Sequence, residues 1–139
     1  MIVLDTNVIS EAMRPVPNRN VQRWLSAQPS LHLFTTTVSL SEILYGIEIL
    51  PVGKRRAGLL AVAETMFAKL FAQRVLGFDT QAARAFPGIA AARRLQGRPI
   101  SILDSQIAAI AKANGATLAT RNTPDFVNCG VGLVNPWEA

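Results

Sequence analysis

Four acidic residues lie far apart in the sequence, at positions from which their carboxylates could share one site: Asp5, Glu42, Asp104 and Asp125. Asp5 follows the apolar run Ile2–Leu4, which predicts a buried strand, and open parallel sheets bind ligands at the carboxyl ends of their strands. Taken alone, Asp5 is equally well explained as a helix N-cap. Clustered carboxylates repel one another unless a hard divalent cation neutralises them, so the four together predict a Mg²⁺ or Mn²⁺ centre.

Glu42 and Asp104 are both predicted on helices whose neighbouring positions are mainly apolar or small. A carboxylate that faces inward needs a partner, because burying an unpaired charge is costly. For Glu42 the simpler explanation is a salt bridge with an arginine. For Asp104 it is a capping box with Ser101, three residues earlier, although a first-turn aspartate can cap and face a crevice at once.

The segment 122–125 follows a predicted strand and carries side-chain oxygens at Asn122 and Asp125. A metal site at a sheet edge would use such a loop. Ordinary turn chemistry is the favoured explanation of this segment when it is considered by itself.

The composition bounds the class of protein. The chain has 139 residues, half of them apolar, which predicts one domain (residues 1–139) with its own core. Its net charge of +5 makes an anionic partner such as nucleic acid plausible. Any single arginine has an ordinary surface role more often than a functional one, but five are candidates for contacting phosphates: Arg14, Arg19, Arg23, Arg98 and Arg121.

Histidine and cysteine chemistry is nearly excluded. The single histidine, His32, lies in a strand-like run and is predicted to be structural. The single cysteine, Cys129, excludes an intramolecular disulfide and fits a reducing compartment. The N-terminus shows no signal-peptide pattern, and no run of about 18 apolar residues occurs. A bacterial or archaeal cytoplasm is therefore the expected location, with no membrane association.

Strand and helix patterns alternate along the chain, which predicts an α/β architecture with a mainly parallel sheet. Strands are predicted at residues 2–4, 31–34, 74–78, 117–120 and 131–134. Helices are predicted at residues 8–13, 18–27, 38–50, 54–72, 80–95 and 103–114. Pro87 predicts a kink or break near Phe86. The helix at 54–72 is apolar nearly all round, so it is expected to pack on two sides or to form a partner interface.

These positions resemble the PIN-domain ribonucleases, specifically the VapC-type toxins of bacterial toxin–antitoxin pairs and their FitB-like branch. The resemblance covers essentially the whole chain, and its specificity comes from the order and spacing of segments that are individually weak. The segments are Leu4–Glu11, Ser41–Gly46, Gly97–Ile100 with Asp104 and Ile107–Ala109, Ala119–Phe126, and Val134–Trp137.

The resemblance implies a PIN-like three-layer α/β/α fold with a four- to five-stranded sheet. It implies a Mg²⁺- or Mn²⁺-dependent endoribonuclease that cleaves RNA phosphodiesters with a metal-activated water. The acidic triad would be Asp5, Glu42 and Asp104. The fourth family position varies, and this chain has Asn where some members have an acid, so Asp125 is predicted as the fourth acid. The predicted supporting polar groups are Thr6, Asn7, Thr120 and Asn122, and the predicted RNA contacts are Arg14, Arg98 and Arg121.

The resemblance also implies partners: a homodimer, and a cognate antitoxin that blocks the site and alone contacts operator DNA.

The alternative is a catalytically silent PIN-fold module that acts with an antitoxin or regulator on operator DNA. A phosphohydrolase of small substrates is less favoured, because Asn7 replaces the second acid of an Asp-x-Asp pair.

Overall fold

Five strands form one sheet in the order β3-β2-β1-β4-β5. The computed structural model describes residues 1–139, and all four strand pairings in it are parallel. The strands are β1 (Ile2–Leu4), β2 (Leu33–Thr36), β3 (Val75–Leu76), β4 (Thr117–Ala119) and β5 (Gly132–Val134). The predicted parallel α/β sheet is confirmed.

Six α-helices connect the strands, which parallel strands require because a tight hairpin cannot join them. They are α1 (Thr6–Ala12), α2 (Arg19–Ala27), α3 (Thr37–Glu48), α4 (Lys54–Thr65), α5 (Thr80–Leu95) and α6 (Ile102–Ala113). Side-chain oxygens of four residues accept hydrogen bonds from the first turns of α2, α3, α5 and α6: Asn18, Thr36, Asp79 and Ser101. None of the six contains an apolar stretch of bilayer-spanning length.

The helices cover both faces of the sheet, because successive strand residues point to opposite sides. Val3 belongs to a buried cluster with residues of α5 and α6, such as Ile89 and Ile107. Leu4 belongs to a second cluster with residues of α1 to α4, such as Val8 and Ile43. The two cores on either side of one sheet make the three-layer α/β/α architecture that was expected.

Two local predictions are wrong. Leu31 and His32 do not extend β2; they lie in a 3-10 turn, Ser30–His32, in which the His32 N–H donates to the Pro29 carbonyl, and His32 is exposed. The break predicted at Pro87 is absent, because α5 is continuous, while the kink stays a prediction. Buried residues on both sides of the proline, Ala82 and Ile89, hold the two halves of α5 in the same core.

The helix predicted at residues 54–72 is α-helical only as far as Thr65 and continues as a π-helical turn, Met66–Leu70. The π turn is accompanied by burial of Phe67, whose ring packs 5.6 Å from that of Phe71. Most of α4 is exposed, including Leu60 and Val62, so this helix packs on the domain by one side only.

Candidate metal centre

Asp5 lies at the point where the strand order of the sheet reverses. β1 is the central strand and pairs with β2 on one side and β4 on the other, and ligand crevices of open α/β sheets form at such points. The side chain of Asp5 is 4% exposed. Its Oδ1 accepts a hydrogen bond from the Thr6 N–H at 2.8 Å, so Asp5 also caps α1. The cap uses one carboxylate oxygen and leaves Oδ2 directed at other groups.

Thr120 and Asn7 surround the second oxygen of Asp5. The buried Thr120 hydroxyl donates to Asp5 Oδ2 at 2.7 Å, and Asn7 Nδ2 lies 3.3 Å from both that oxygen and Thr120 Oγ1. Burial nevertheless dominates and raises the pKa of Asp5 from 3.8 to about 6. The hydrogen bonds from Thr120 and Thr6 lower that pKa, while the charges of Asp104 and Glu42 raise it further. Asp5 is thus a buried carboxylate that forms no salt bridge with a lysine or arginine.

Glu42 reaches the same place from α3. Its Oε1 accepts a hydrogen bond from the Thr6 hydroxyl at 2.8 Å, and Thr6 Oγ1 also contacts the Ser39 hydroxyl at 3.0 Å. The chain has two salt bridges, Arg14–Glu11 and Arg56–Glu48, and neither involves Glu42. The simpler explanation of Glu42 as one half of an arginine salt bridge is therefore wrong.

Asp104 lies in the first turn of α6 and is half-buried. Its backbone N–H donates to Ser101 Oγ at 3.1 Å, so the predicted Ser101 cap is present. Burial raises the pKa of Asp104, and the charges of Glu42 and Asp125 raise it too, while a hydrogen bond with Ser101 lowers it. Asp104 takes part in the cap through its backbone N–H and faces the crevice at once, because its side chain lines the same pocket as Asp5.

A pocket of about 610 Å³ opens beside Asp5 and collects most of the predicted site residues. Its walls consist of carboxylates, amides, hydroxyls, two guanidinium groups and one aromatic ring, from Asp5, Thr6, Asn7, Ser10, Glu11, Arg14, Glu42, Asp104, Arg121, Asn122 and Trp137. Thr120 lies buried behind Asp5 and supports it from there.

Besides Thr120, four predicted residues lie outside the walls of this pocket. Asp125 is exposed in the 3-10 turn Thr123–Phe126, although its charge still reaches Asp104. Arg98 is exposed and does not line the pocket. Arg19 and Arg23 line a separate surface hollow. Asn122, by contrast, lines the pocket, with its backbone N–H held by Thr120 Oγ1 at 3.1 Å.

Three pocket residues were not predicted from their chemistry. Ser10 and Glu11 follow Thr6 and Asn7 by four residues in α1, and this helical spacing could have placed them on the same face. Glu11 has a structural role, since its carboxylate forms a salt bridge with the Arg14 guanidinium at 3.3 Å and accepts a hydrogen bond from the Asn18 N–H at 3.0 Å. The third, Trp137, carries no such local signal.

The donor set fits Mg²⁺ or Mn²⁺ in its chemistry, because every candidate ligand is an oxygen atom. No three acidic, cysteine or histidine side chains are arranged to hold a metal ion jointly. Mg²⁺ is usually bound by one or two carboxylates with water completing its coordination, so a joint cage is not required. Burial is the first cause of the raised pKa values of Asp5 and Asp104, and a bound cation would favour the ionised form of both carboxylates.

Comparison with known proteins agrees with this fold. The family model described as PIN domain matches residues 2–127. The plasmid stability protein StbB of Pseudomonas syringae pv. tomato is 44% identical, with both chains covered completely. The VapC ribonuclease Y4jK of Sinorhizobium fredii is 39% identical and the toxin FitB of Neisseria gonorrhoeae 37%, each over 99% of both chains.

A solved structure of FitAB bound to a DNA fragment superimposes on this chain with a TM-score of 0.92. The sequence identity is 37%, and the match covers 99% of this chain and 96% of the other. The fold and site thus define a PIN domain. The chain belongs to the PIN-domain family and, within it, to the group that contains the VapC and FitB proteins.

Proposed function

We propose that the protein is a Mg²⁺- or Mn²⁺-dependent endoribonuclease and the toxin of a toxin–antitoxin pair. One observation carries this proposal: Asp5, Glu42 and Asp104 line one pocket, and none of them forms a salt bridge. A protein gains no stability from three uncompensated carboxylates, whereas a phosphodiesterase needs them for its cation. The name VapC ribonuclease of a relative supports RNA as the substrate.

Each residue has a role that follows from its contacts. A bound divalent cation supplies an acidified water as nucleophile and neutralises charge on the phosphate. Asp5 and Asp104 are the carboxylates that would hold it, with Glu42 beside them. The Thr6 hydroxyl orients Glu42 by donating to Oε1, and Thr120 and Asn7 fix the position of Asp5 Oδ2.

Two arginines extend the site toward an anionic substrate. Arg14 and Arg121 line the same pocket as the carboxylates and are exposed, so they can contact phosphates of RNA bound there. Arg98 lies outside the pocket and could contact only RNA that extends beyond it. Asp125 stays a prediction as the fourth carboxylate, with Asn122 as the polar group that reaches the pocket directly.

The experiment that tests this function measures cleavage of single-stranded RNA by the purified protein with Mg²⁺ and with excess chelator. We expect cleavage with Mg²⁺ and none with the chelator. Undiminished cleavage in chelator would disprove the metal-dependent mechanism. No cleavage under either condition, together with binding of an antitoxin, would instead support the catalytically silent module.

The proposed partner is a cognate antitoxin, and the proposed docking surface is a second pocket of about 750 Å³ between α1, α3 and α4. This pocket shares Thr6, Ser10, Arg14 and Glu42 with the acidic pocket, so a segment bound in one reaches the other. Its remaining wall is largely apolar, including Ile43, Ile47, Leu59 and Val62. The solved FitAB–DNA complex supports a partner that contacts DNA. We also propose a homodimer, as the resemblance implies.

Gly58 offers a direct test of this docking surface. It lies in α4, is exposed, lines the second pocket, and has no heavy atom within 4 Å of where a Cβ would stand. We expect Gly58→Trp to fill the pocket and weaken antitoxin binding by at least about tenfold, a loss of roughly 1.4 kcal/mol. Titration calorimetry with the protein encoded beside this gene measures the change.

Gly58→Ala is the matched control. It adds one methyl group to open space and replaces glycine within a helix, so it should raise the free energy of unfolding by up to about 1 kcal/mol. Antitoxin binding by the alanine variant should equal that of the parent. Unchanged binding by Gly58→Trp would place the antitoxin elsewhere on the surface.

A further inference from the structure

Trp137 is the one apolar residue in a pocket otherwise lined by polar and charged groups. Its backbone is fixed on both sides, since its carbonyl accepts from Asn20 Nδ2 at 2.8 Å and its N–H donates to Asn135 Oδ1 at 3.0 Å. Part of its ring packs against the buried cluster around Leu4, and the residue is only half-buried. One part of the indole thus packs against the core, and another part can contact a ligand in the pocket.

Arg121 lies over this ring, with its guanidinium carbon 5.2 Å from the ring centroid. The backbone of Arg121 is tied to the acidic site, because its N–H donates to Asn7 Oδ1 at 3.2 Å. Its carbonyl accepts from Asn135 Nδ2 at 3.4 Å, which ties it to the C-terminal segment as well. Asn7 also contacts the carboxylate of Asp5. These hydrogen bonds therefore hold the Arg121–Trp137 pair at a fixed position relative to Asp5.

The rest of the pocket offers nothing flat and apolar. Carboxylates, amides and guanidinium groups can hold a cation, a sugar hydroxyl or a phosphate, but a nucleobase also needs a face on which to stack. An exposed cation–π contact is weaker than a base–aromatic stack, so a base can replace the guanidinium on the ring. The displaced Arg121 side chain is exposed and free to move to a phosphate.

We propose that Trp137 stacks a nucleobase of single-stranded RNA beside the acidic pocket, while Arg121 leaves the ring to contact a phosphate of the same strand. This inference rests on the proposed ribonuclease function and adds the group that holds the base. Stacking on Trp137 accepts any base, so it positions the strand without reading its sequence.

A fluorescence experiment tests the stack without cleavage. The chain has two tryptophans, so Trp24→Phe leaves Trp137 as the sole indole. In chelator, a short single-stranded RNA of mixed sequence should quench Trp137 emission, because a stacked base quenches an indole. The same strand made of abasic nucleotides keeps its phosphates and should bind without quenching. No binding, or equal quenching by both strands, would overturn the proposal.

Three variants separate stacking from packing. Trp137→Leu should weaken binding of the normal strand on the order of 10- to 100-fold, the range expected for one lost stack. It should leave binding of the abasic strand unchanged. Trp137→Phe should recover most of the loss. Arg121→Gln should weaken binding of both strands alike, because it removes a phosphate contact.

Trp24→Leu is the matched control, since Trp24 packs on the same buried cluster but does not line the pocket. It should lower stability and leave RNA binding unchanged. A merely structural Trp137 would make both leucine variants lose stability and make Trp137→Leu bind the two strands equally. If RNA quenches Trp137 but the protein cleaves no RNA with Mg²⁺, the stacking proposal stands and the proposed nuclease function is refuted. If Trp137→Leu cleaves RNA with an unchanged KM, the nuclease function stands and the stacking proposal is refuted.

Discussion

Asp104→Asn is expected to reduce RNA cleavage on the order of 100- to 1,000-fold while the protein remains folded. The proposed cation loses one of the two carboxylates assigned to hold it, and several kcal/mol of transition-state stabilisation correspond to a loss of that size. The fold should survive because Asp104 serves the helix through its backbone: its N–H donates to the Ser101 hydroxyl, and asparagine keeps that N–H. Initial cleavage rates at saturating Mg²⁺, with circular dichroism of the same sample, measure both effects.

Two controls make this result specific to the carboxylate. Ser101→Ala removes the cap and keeps the acid, so it should cost about 1 kcal/mol of stability with little loss of cleavage. Asp79→Asn changes an aspartate that caps α5 and does not line the pocket, and it should cleave like the parent. If Asp104→Asn kept parental activity, Asp104 would be only a first-turn residue of α6 and the proposed metal centre would be wrong.

The parts of the fold that were predictable are those fixed by short-range chemistry. A capping side chain acts within three residues, so Asn18, Thr36, Asp79 and Ser101 could be assigned from neighbouring residues alone. Apolar runs flanked by turns identified the strands, and their alternation with helices identified a parallel sheet. Gly115, with φ of +63°, follows α6 in the left-handed conformation that glycine commonly adopts after a helix.

The wrong predictions concern places where a specific contact, tertiary for Pro87 and local for His32, outweighs the preference of the residue type. Proline disfavours a helix interior, but Pro87 lies between Ala82 and Ile89, and both pack in the core shared with α6. His32 follows a strand-like pattern, but the His32 N–H closes a 3-10 turn onto Pro29. In both cases the deciding contact is one that a pattern of residue types does not contain.

Much of the candidate site could be predicted from local signals. Asp5 was identified at the end of a predicted strand, and Glu42 and Asp104 by their mainly apolar or small helical neighbours; the structure brings the three to one pocket. Trp137 could not be identified, because it reaches the pocket only when the last residues return to α2, where Asn20 binds its carbonyl. Whether Asn122 or Asp125 faces the pocket depends on how the turn after β4 winds, which composition does not determine.

The metal-free protein is expected to lose about 3 kcal/mol of stability through Asp5 as the pH rises from about 4 to above 6. Burial raises the pKa of Asp5 from 3.8 to about 6 in the folded protein. Between these values the folded chain keeps a proton that the unfolded chain releases, so the unfolding free energy falls as pH rises. The contribution of protonated Asp5 to the free energy of unfolding is complete below pH 3.8 and is lost as the pH rises through 6. Its size follows from the difference between the two pKa values.

Asp5→Asn isolates this contribution, because asparagine fills the same space and does not titrate. The parent's unfolding free energy minus that of the variant should fall across this pH window, and urea titrations at a series of pH values in chelator measure it. A flat difference for Asp5→Asn would mean that Asp5 is ionised at little cost and that its burial needs no cation.

Mg²⁺ should reverse the loss, since it binds the ionised carboxylates of the folded chain and competes with protons for them. The rise in Tm on adding Mg²⁺ should therefore be larger at pH 7.5 than at pH 5, and Asp5→Asn should abolish most of it. This experiment needs no RNA, so it tests the metal centre separately from the nuclease. A Tm that does not change on adding Mg²⁺ at either pH would contradict the proposal that a cation binds Asp5.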